Sequence, residues 1–448
     1  MTATVVAAGL VVLLVGTEAF FTLLDVLNLR HQEEEVAANE SWIVSELGID
    51  DPEEALSYHR VKTGVSALQS WVTLAFLLVV LFSGLFADAV AVVESLVGGV
   101  AAVERAGLTT LAEGVVFVAG LVVAIQLVSI PFDVVQTFVV EEVFGFNNQT
   151  VGLWLRDQLL GTVISLVLTV PLAAAILWFV GNVPFWPVAA WALVVGFLIA
   201  YTVIKPRVID PLFNEFTPLS AGELRDAVDE VFETAGYRTD EVYEMDASRR
   251  SAHSNAYFIG FGPAKRVVLF DTLIEGMEPE EVQSVLAHEL AHWREGHIWK
   301  FVGLAALRLG VIFAVFGVLL SWDPLYAPFA VPQTPYVGLF LAALWLVPLN
   351  RLTTPLENAV SLSYERDADA YAVDVVGGEP MAGALSQLAA DNLSTPFPHP
   401  WYETFHYDHP PIPERIRRVR ELDPEASSPA SDASGGGGDD GDAPAAAD

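Results

Sequence analysis

Val285-Leu-Ala-His-Glu-Leu-Ala-His-Trp-Arg-Glu-Gly-His297 contains the pattern HELAH at positions 288 to 292. On a helix, two histidines four residues apart lie one above the other on the same face. Both imidazoles can therefore reach one metal ion, with Glu289 beside them. With 9 His and 56 acidic residues in 448, chance supplies roughly 0.02 such matches per chain. The stretch predicts the metal-binding helix of a zinc peptidase, so the surrounding sequence must supply the rest of the site.

The composition around this stretch is that of a membrane protein. Hydrophobic residues make up 53% of the chain, and the mean hydropathy is +0.47. We predict a mainly α-helical, multi-pass fold with a small β-sheet in a soluble part. Seven stretches are apolar and long enough to cross about 30 Å of hydrocarbon. They lie near residues 4–27, 64–86, 111–132, 157–181, 185–204, 301–322 and 336–356.

The charge balance is strongly acidic, with a formal net charge of −34 from 56 acidic and 22 basic residues. Crowded carboxylates are tolerable where salt screens them strongly, so we predict a protein adapted to concentrated salt. The sequence offers no basic groove, which argues against nucleic-acid binding. It also contains no cysteine. Disulfides and thiolate metal ligands are therefore excluded, and His, Asp and Glu remain as ligands.

The distribution of basic residues predicts the orientation in the membrane. If Arg30, Arg60 and Lys62 are cytoplasmic, Arg105 is the only Lys or Arg in a loop on the opposite side. The HELAH stretch and the C-terminus then face the cytoplasm of an integral cell-membrane protein. We interpret the apolar residues 1–15 as part of a retained first span. The loops predicted outside are 87–110, 182–184 and 323–335.

This orientation divides the chain into five segments. They are a membrane part over 1–204, a cytoplasmic insert over 205–300, two further spans over 301–356, a second cytoplasmic part over 357–424 and an acidic, disordered tail over 425–448. In the insert we predict a helix over 219–236 capped by Ser220 and strands over 241–245, 255–261 and 266–271, with a turn at Gly262-Pro263. The resulting small hairpin is predicted to lead directly to the metal-binding helix, which starts at Pro279. In the second part we predict helices over 358–376, 380–392 and 414–422.

Catalytic zinc takes three protein ligands and keeps a fourth position for water. The metzincin pattern, which has Gly at position 295 and a third His at position 298, is excluded because Glu295 and Ile298 stand there. His297 lies about 140° round the helix from His292, so we expect an outer or interfacial role for it. A downstream carboxylate is the expected third ligand.

The best source of that carboxylate is Ser361-Leu-Ser-Tyr-Glu-Arg-Asp-Ala-Asp-Ala-Tyr-Ala372. Glu365 and Asp369 lie four residues apart on one helical face. One can bind the metal while the other orients a ligand imidazole. We predict that Glu365 is the metal ligand and that Asp369 orients the imidazole of a ligand histidine. The alternative is a solvated acidic face, but the preceding apolar span and the neighbouring alanines favour burial.

These two motifs together resemble those of the type I CAAX prenyl endopeptidases, which are integral-membrane gluzincins. Further motifs extend the resemblance over roughly residues 20–422. They are Ile130-Pro-Phe, Glu142-Val-Phe-Gly-Phe-Asn, Pro211-Leu-Phe-Asn-Glu-Phe-Thr-Pro-Leu, Arg249-Arg-Ser-Ala-His-Ser-Asn-Ala-Tyr-Phe and His406-Tyr-Asp-His-Pro-Pro-Ile-Pro-Glu-Arg415.

The resemblance implies seven helices around a large water-filled intramembrane chamber with one catalytic zinc ion at its cytoplasmic end. It implies His288, His292 and Glu365 as ligands and Glu289 as general base. His409 and Arg415 are expected to donate to the developing oxyanion, or Arg415 forms a structural salt bridge. An edge strand is expected to bind substrate, and its site residues are His253, Asn255, Ala256, Tyr257 and Phe258.

The expected function is hydrolysis of peptide bonds in a peptide or protein substrate, with or without a lipid group at its C-terminus, at the lipid bilayer. Two alternatives stay open. The first is an HtpX-like protease for membrane-protein quality control, although seven spans favour the prenyl-protease architecture. The second is a non-catalytic scaffold or transporter with a structural zinc, which would need a fourth protein ligand that the sequence does not show.

Overall fold

The computed structural model describes residues 2–234, 236, 241–259 and 266–423. The predicted acidic tail and the expected turn at 262–263 lie outside these residues. The helices, labelled in chain order, are α1 (Ala3–Leu47), α2 (Pro52–Phe82), α3 (Leu85–Gly98), α4 (Ala101–Arg105), α5 (Thr109–Val135), α6 (Glu141–Val143), α7 (Val151–Asn182), α8 (Trp186–Ile204), α9 (Asp210–Phe213), α10 (Glu223–Thr234), α11 (Asp271–Gly276), α12 (Pro279–Arg294), α13 (His297–Leu319), α14 (Pro335–Val376), α15 (Gly378–Asp391), α16 (Pro400–His406) and α17 (Ile412–Leu422).

Seven helical stretches in the described residues are long and apolar enough to cross a membrane. They are Ala3–Leu47, Pro52–Phe82, Thr109–Val143, Val151–Asn182, Trp186–Phe213, His297–Leu319 and Pro335–Val376. Each contains most of one predicted span. The predicted fold class, a mainly helical multi-pass membrane protein with a small sheet, is thus confirmed.

Two of these helices are far longer than their apolar parts. α1 has 45 residues and α14 has 42. At 1.5 Å per residue each is over about 60 Å long, roughly twice the hydrocarbon thickness. The helix predicted separately over 358–376 is therefore wrong as a separate element, because it continues α14. Apolar content marks only the part in the lipid, and polar residues can extend the same helix into water.

The segment 87–110, predicted as a loop, is mainly helical. α3 covers 14 residues, about 21 Å, which is too short to span the bilayer. Its side chains Phe86 and Val90 are buried in an apolar cluster with Leu81 and Tyr336. This packing explains why an apolar segment that does not cross the membrane is nevertheless ordered.

Three prolines lie within predicted spans, where proline can kink or end a helix, and no helix ends at any of them. Pro131, Pro171 and Pro348 lie inside α5, α7 and α14. Membrane helices tolerate internal proline when neighbouring groups satisfy the freed backbone carbonyls. A π-helical turn, Gln136–Val140, follows α5, and a second, Lys205–Ile209, follows α8.

The described residues between Phe216 and Phe270 form a four-stranded mixed sheet. Its strands are β1 (Phe216–Pro218), β2 (Val242–Met245), β3 (Ala256–Ile259) and β4 (Arg266–Phe270), in the order β1-β2-β4-β3. β2 and β4 are parallel, and the two outer pairs are antiparallel. Three strands agree with the prediction, whereas β1 was missed because it is three residues long and includes a proline. β3 is an edge strand and packs against α12.

Two local predictions in the insert are wrong. The helix expected from residue 219 begins at Glu223, because the Leu219 amide donates to the carbonyl of Val242 and is held by the sheet. Ser220 therefore cannot cap that helix. The hairpin also does not lead directly to the metal helix, since α11 comes between them.

One apolar core joins the long helices to the sheet. It contains buried side chains from the end of α1 (Ile43, Leu47), from α12 (Leu286, Leu290) and from α15, α17, α10 and the strands. A second cluster at the other end of α1 includes Leu10 and Tyr336. α1 and α14 thus run from one cluster to the other, and the HELAH helix is embedded in the cluster that contains the sheet.

Candidate active site

The helix that carries HELAH starts where the sequence predicts. Pro279 occupies its first turn, and Glu278 and Glu281 form a reciprocal capping box. The helix ends before Gly296, whose φ of +67° is the left-handed conformation that glycine adopts without strain. The chain turns there and α13 begins at His297. α12 is therefore fixed at both ends, which holds its histidines in place.

The two histidines of HELAH face each other as the spacing predicts. Their Nε2 atoms are 3.2 Å apart, and both point towards Glu365 of α14. Nε2 of His288 lies 3.1 Å from Oε2 of Glu365, and Nε2 of His292 lies 3.2 Å from Oε1. The structure thus brings together the three predicted ligands from two helices.

These three groups fit a metal ion. Neighbouring ligands of a tetrahedral zinc with bonds of about 2.0–2.1 Å are about 3.3 Å apart, close to the separations found here. Asp369 can only accept a hydrogen bond when ionised, so the Nδ1 of neutral His288 carries the proton and its Nε2 presents a lone pair. The Oε2 of Glu365 is buried and forms no well-directed hydrogen bond among the described residues, although the Nε2 atoms of His288 and His409 lie 3.1 and 3.2 Å from it. A cation between them would satisfy all three.

Asp369 connects the cluster to Arg415. Its Oδ1 lies 2.9 Å from Nδ1 of His288. It also accepts two hydrogen bonds from Arg415, 3.0 Å from Nε and 2.6 Å from Nη2. Burial alone would lower the pKa of His288, but the hydrogen bonds to Asp369 and Glu365 outweigh it and raise the pKa to about 9. The carboxylates thus raise the basicity of the imidazole, which strengthens its bond to a cation once Nε2 is deprotonated.

Arg415 forms an ion pair with Asp369. Its side chain is 11% exposed, and Asp369 is fully buried. The salt bridge that was one of the two expectations for Arg415 is thus present. The oxyanion-donor role is a separate prediction, and Arg415 lines the larger cavity described below.

His409 reaches the cluster from the loop before α17. Its Nε2 lies 3.2 Å from Oε2 of Glu365, and its Nδ1 lies 2.8 Å from Asp408. The hydrogen bond from His409 lowers the pKa of Asp408. Asp408 was not predicted, although it stands inside the quoted motif His406-Tyr-Asp-His. Half of the His409 side chain is exposed, and it borders both of the cavities described below.

His297 lies behind His292 and not in the ligand cluster. The two Nδ1 atoms are 3.1 Å apart. The His297 ring is buried and stacks on Tyr364 at 4.0 Å. This location agrees with the outer role expected from the helical angle.

The residues predicted to bind substrate divide into two groups. Asn255, Ala256, Tyr257 and Phe258 lie at or in edge strand β3. Of these, Asn255 is exposed and Ala256 is buried. His253 instead takes part in a polar contact network. Its ring stacks on Phe146 at 4.0 Å, and its Nδ1 lies 2.8 Å from Asn392. His253 thus joins the membrane part to the insert.

Two cavities adjoin the cluster. One, of about 740 Å³, is lined by residues of α1 and α2, by Arg351 of α14, by the loop after α15 and by residues between Tyr402 and Arg415. The other, of about 530 Å³, lies between α13 and α14 and includes Glu289, His292 and Glu365. Asp408 and His409 line both. Glu289 forms no hydrogen bond or ion pair with a residue in the described ranges, so its carboxylate can act on a molecule in the cavity.

Comparison with known proteins identifies the family. Residues 41–215 match the family model for the N-terminal part of CAAX prenyl proteases, with five membrane helices. Residues 218–423 match peptidase family M48. A CAAX prenyl protease 1 homolog of Oryza sativa is 35% identical over 68% of this chain and 73% of its own length. The chain belongs to peptidase family M48.

Other relatives and a solved structure agree with this assignment. CAAX prenyl protease 1 of Saccharomyces cerevisiae is 33% identical over 82% of this chain and 86% of its own length. The crystal structure of S. mikatae Ste24p superposes with a TM-score of 0.79 at 27% identity, covering 92% of this chain and 98% of that one. As an M48 member of the CAAX prenyl protease type, the chain is a membrane metalloendopeptidase, as predicted.

The structure also shows polar residues that sequence reasoning left undecided. Arg308 of α13 and Glu357 of α14 form an ion pair that lines the smaller cavity. Arg308 lies within the predicted span 301–322, and Glu357 directly follows the predicted span 336–356. Their pairing depends on the packing of two helices and could not be read from either helix alone.

Proposed function

We propose that this M48 peptidase holds one zinc ion on His288, His292 and Glu365 and cleaves peptides that carry a lipid-modified C-terminal region. The observation that carries the proposal is the donor cluster itself. Two imidazole nitrogens and a buried carboxylate converge at 3.1–3.2 Å, with Glu289 lining the cavity beside them. Nitrogen and carboxylate donors in a three-ligand set are typical of catalytic zinc.

When bound, zinc lowers the pKa of a water ligand and polarises the scissile carbonyl. Glu289 accepts the proton of the attacking water and returns it to the leaving amine. Asp369 holds the proton on Nδ1 of His288, which keeps Nε2 directed at the ligand cluster. Arg415 fixes Asp369. His409, half exposed and adjacent to Glu365, is positioned to donate to the oxygen of the scissile carbonyl.

Edge strand β3 supports a role in substrate alignment. Among the residues that the structure describes, no strand pairs with its outer edge. An extended peptide can pair with such an edge through main-chain hydrogen bonds, which place a scissile bond while demanding little of its side chains. We therefore assign peptide alignment to Asn255, Ala256, Tyr257 and Phe258. We assign His253 to support of this strand.

The lipid-modified substrate is supported by the relatives, whose names describe CAAX prenyl proteases. The test is product mass spectrometry on one peptide, with and without a prenyl group on a cysteine near its C-terminus. We expect cleavage on the carboxyl side of the modified cysteine and much slower cleavage of the unmodified peptide. Equal rates for the two peptides would favour the general quality-control alternative.

We also propose that the site faces the cytoplasm. The basic residues support this orientation, as described above. The natural absence of cysteine makes a labelling test simple. Asp374→Cys, exposed at the site end of α14, and Arg105→Cys, exposed on α4, are placed singly in the chain. In intact cells an impermeant thiol reagent should modify the cysteine at 105 and spare that at 374. The reverse pattern would overturn the orientation.

A further inference from the structure

The smaller cavity contains an arginine whose guanidinium is only partly used. Arg308 projects from α13, and its Nη1 contacts Oε1 of Glu357 at 2.5 Å. Its Nε atom is buried and lacks a hydrogen-bond partner within the described chain. Burying such a donor is costly unless a ligand satisfies it. The Arg308 side chain lines the cavity that also includes Glu289 and Glu365.

Arg415 shows how this chain uses the same edge of a guanidinium. There, Nε and Nη2 together hold the two oxygens of Asp369. In Arg308 this pair of donors is not engaged by any described residue, because Glu357 is bound through Nη1. Nε and Nη2 form the parallel fork that matches a carboxylate. Glu357 therefore orients Arg308 through Nη1 and leaves Nε and Nη2 without a partner among the described residues.

The lining of the cavity is mostly acidic, so an anionic ligand would depend on the guanidinium of Arg308 for a favourable contact. The other charged groups of the lining are Glu289, Glu357, Glu365 and Asp408, apart from the histidines His292 and His409. A carboxylate entering this cavity would be repelled by four acidic side chains. Arg308 is the arginine that the lining provides to offset that repulsion.

The position of Arg308 sets a distance from the ligand cluster. Its partner Glu357 lies eight residues before Glu365 on α14, with Ser361 between them on the same face of the helix. Eight residues of helix correspond to about 12 Å. An extended peptide covers that distance with roughly three to four residues.

We propose that Arg308 binds the C-terminal carboxylate of the substrate and so sets how many residues are released. A peptide whose scissile bond lies at the ligand cluster would reach Arg308 when about three to four residues follow that bond. This inference rests on the proposed peptidase function and adds a specificity determinant to it. The same fork can accept a carboxylate from a side chain, so the experiment separates the two sources.

The experiment measures kcat/KM of the purified, metal-loaded protein on three prenylated peptides of one sequence. The first ends in a free carboxylate three residues after the modified cysteine. The second ends in an amide at the same point, and the third is that amide with Asp as its last residue. Because a charge-assisted hydrogen bond is lost, we expect the first peptide to be cleaved about 10- to 100-fold faster than the second.

Arg308→Gln should remove this difference by slowing cleavage of the free acid alone, and Arg308→Lys should restore part of it. Arg351→Gln is the matched control. Arg351, on α14, is likewise an arginine paired with a glutamate, Glu18, but it lines the other cavity. This variant should therefore keep the full acid-to-amide ratio.

Four outcomes would overturn the inference. If Arg308→Gln retains the wild-type ratio, Arg308 serves only to join α13 and α14. If the Asp-ended amide is cleaved as fast as the free acid in an Arg308-dependent way, Arg308 accepts any carboxylate at this point and does not recognise the C-terminus as such. If the metal-loaded wild type cleaves none of the peptides, the proposed function itself fails. Cleavage without an acid-to-amide difference would show that Arg308 does not bind the C-terminal carboxylate, while the proposed peptidase function would still be supported.

Discussion

Replacing Asp369 by asparagine tests whether residues that contact the metal ligands from behind determine the affinity of the site for zinc. Asp369 is fully buried, lies 2.9 Å from His288 and holds Arg415 through two hydrogen bonds. The asparagine side chain would keep the shape and one acceptor but would lack the negative charge. The guanidinium of Arg415 would then be buried without its counter-ion.

The substitution is expected to affect both metal affinity and folding stability, by different amounts. Loss of an outer carboxylate behind a ligand histidine costs about 10- to 100-fold in metal affinity. Removing one partner of a buried ion pair costs about 3–5 kcal/mol of folding stability. We therefore expect Asp369→Asn to weaken zinc binding by that factor and to lower the unfolding temperature. Combining it with Arg415→Met should recover much of the stability but not the zinc affinity.

Zinc affinity is measured in detergent by competition with a chelator of known affinity, and stability by thermal unfolding of the metal-free protein. Asp374→Asn, at an exposed position on the same helix, is the control and should change both by little. The reasoning is refuted if Asp369→Asn binds zinc as tightly as the wild type. It is also refuted if the double substitution restores zinc affinity together with stability.

Three further predictions concern the scaffold. His253→Ala should lower stability by about 2 kcal/mol while zinc content is retained, because it removes the hydrogen bond to Asn392 and the stacking on Phe146; loss of zinc with unchanged stability would contradict this. Gly378→Ala should destabilise by about 1–3 kcal/mol, since a Cβ there would lie 2.6 Å from the carbonyl oxygen of Val419; unchanged thermal unfolding would show that α17 can shift. Finally, the net charge of −34 predicts that the unfolding temperature rises as KCl is raised from about 0.1 M towards 1 M and above. A falling unfolding temperature would contradict adaptation to salt.

The sequence was most informative where two functional residues lie on the same helix. The spacing of His288 and His292 and that of Glu365 and Asp369 each follow from helical periodicity, and the structure places these four side chains together. The meeting of α12 with α14 did not follow from periodicity. It was inferred from the need for a third ligand and from family resemblance.

Other features depend on packing between elements and were missed or misplaced for that reason. α3 has the composition of a span but is held by Phe86 and Val90 against its neighbours. β1 exists because its partner β2 stabilises a segment too short to be recognised. His253 was grouped with β3 by its position in a motif, whereas its contacts come from Phe146 and Asn392, which are distant in sequence.

The measurement that tests the account most directly is turnover of Glu289→Gln with its zinc content determined on the same sample. Glu289 is not among the three ligands, and its carboxylate has no partner within the described residues, so the variant should bind zinc as the wild type does. Loss of the general base should lower kcat by about 100- to 10,000-fold. A variant that holds a full equivalent of zinc and still cleaves peptide at the wild-type rate would contradict the proposed mechanism.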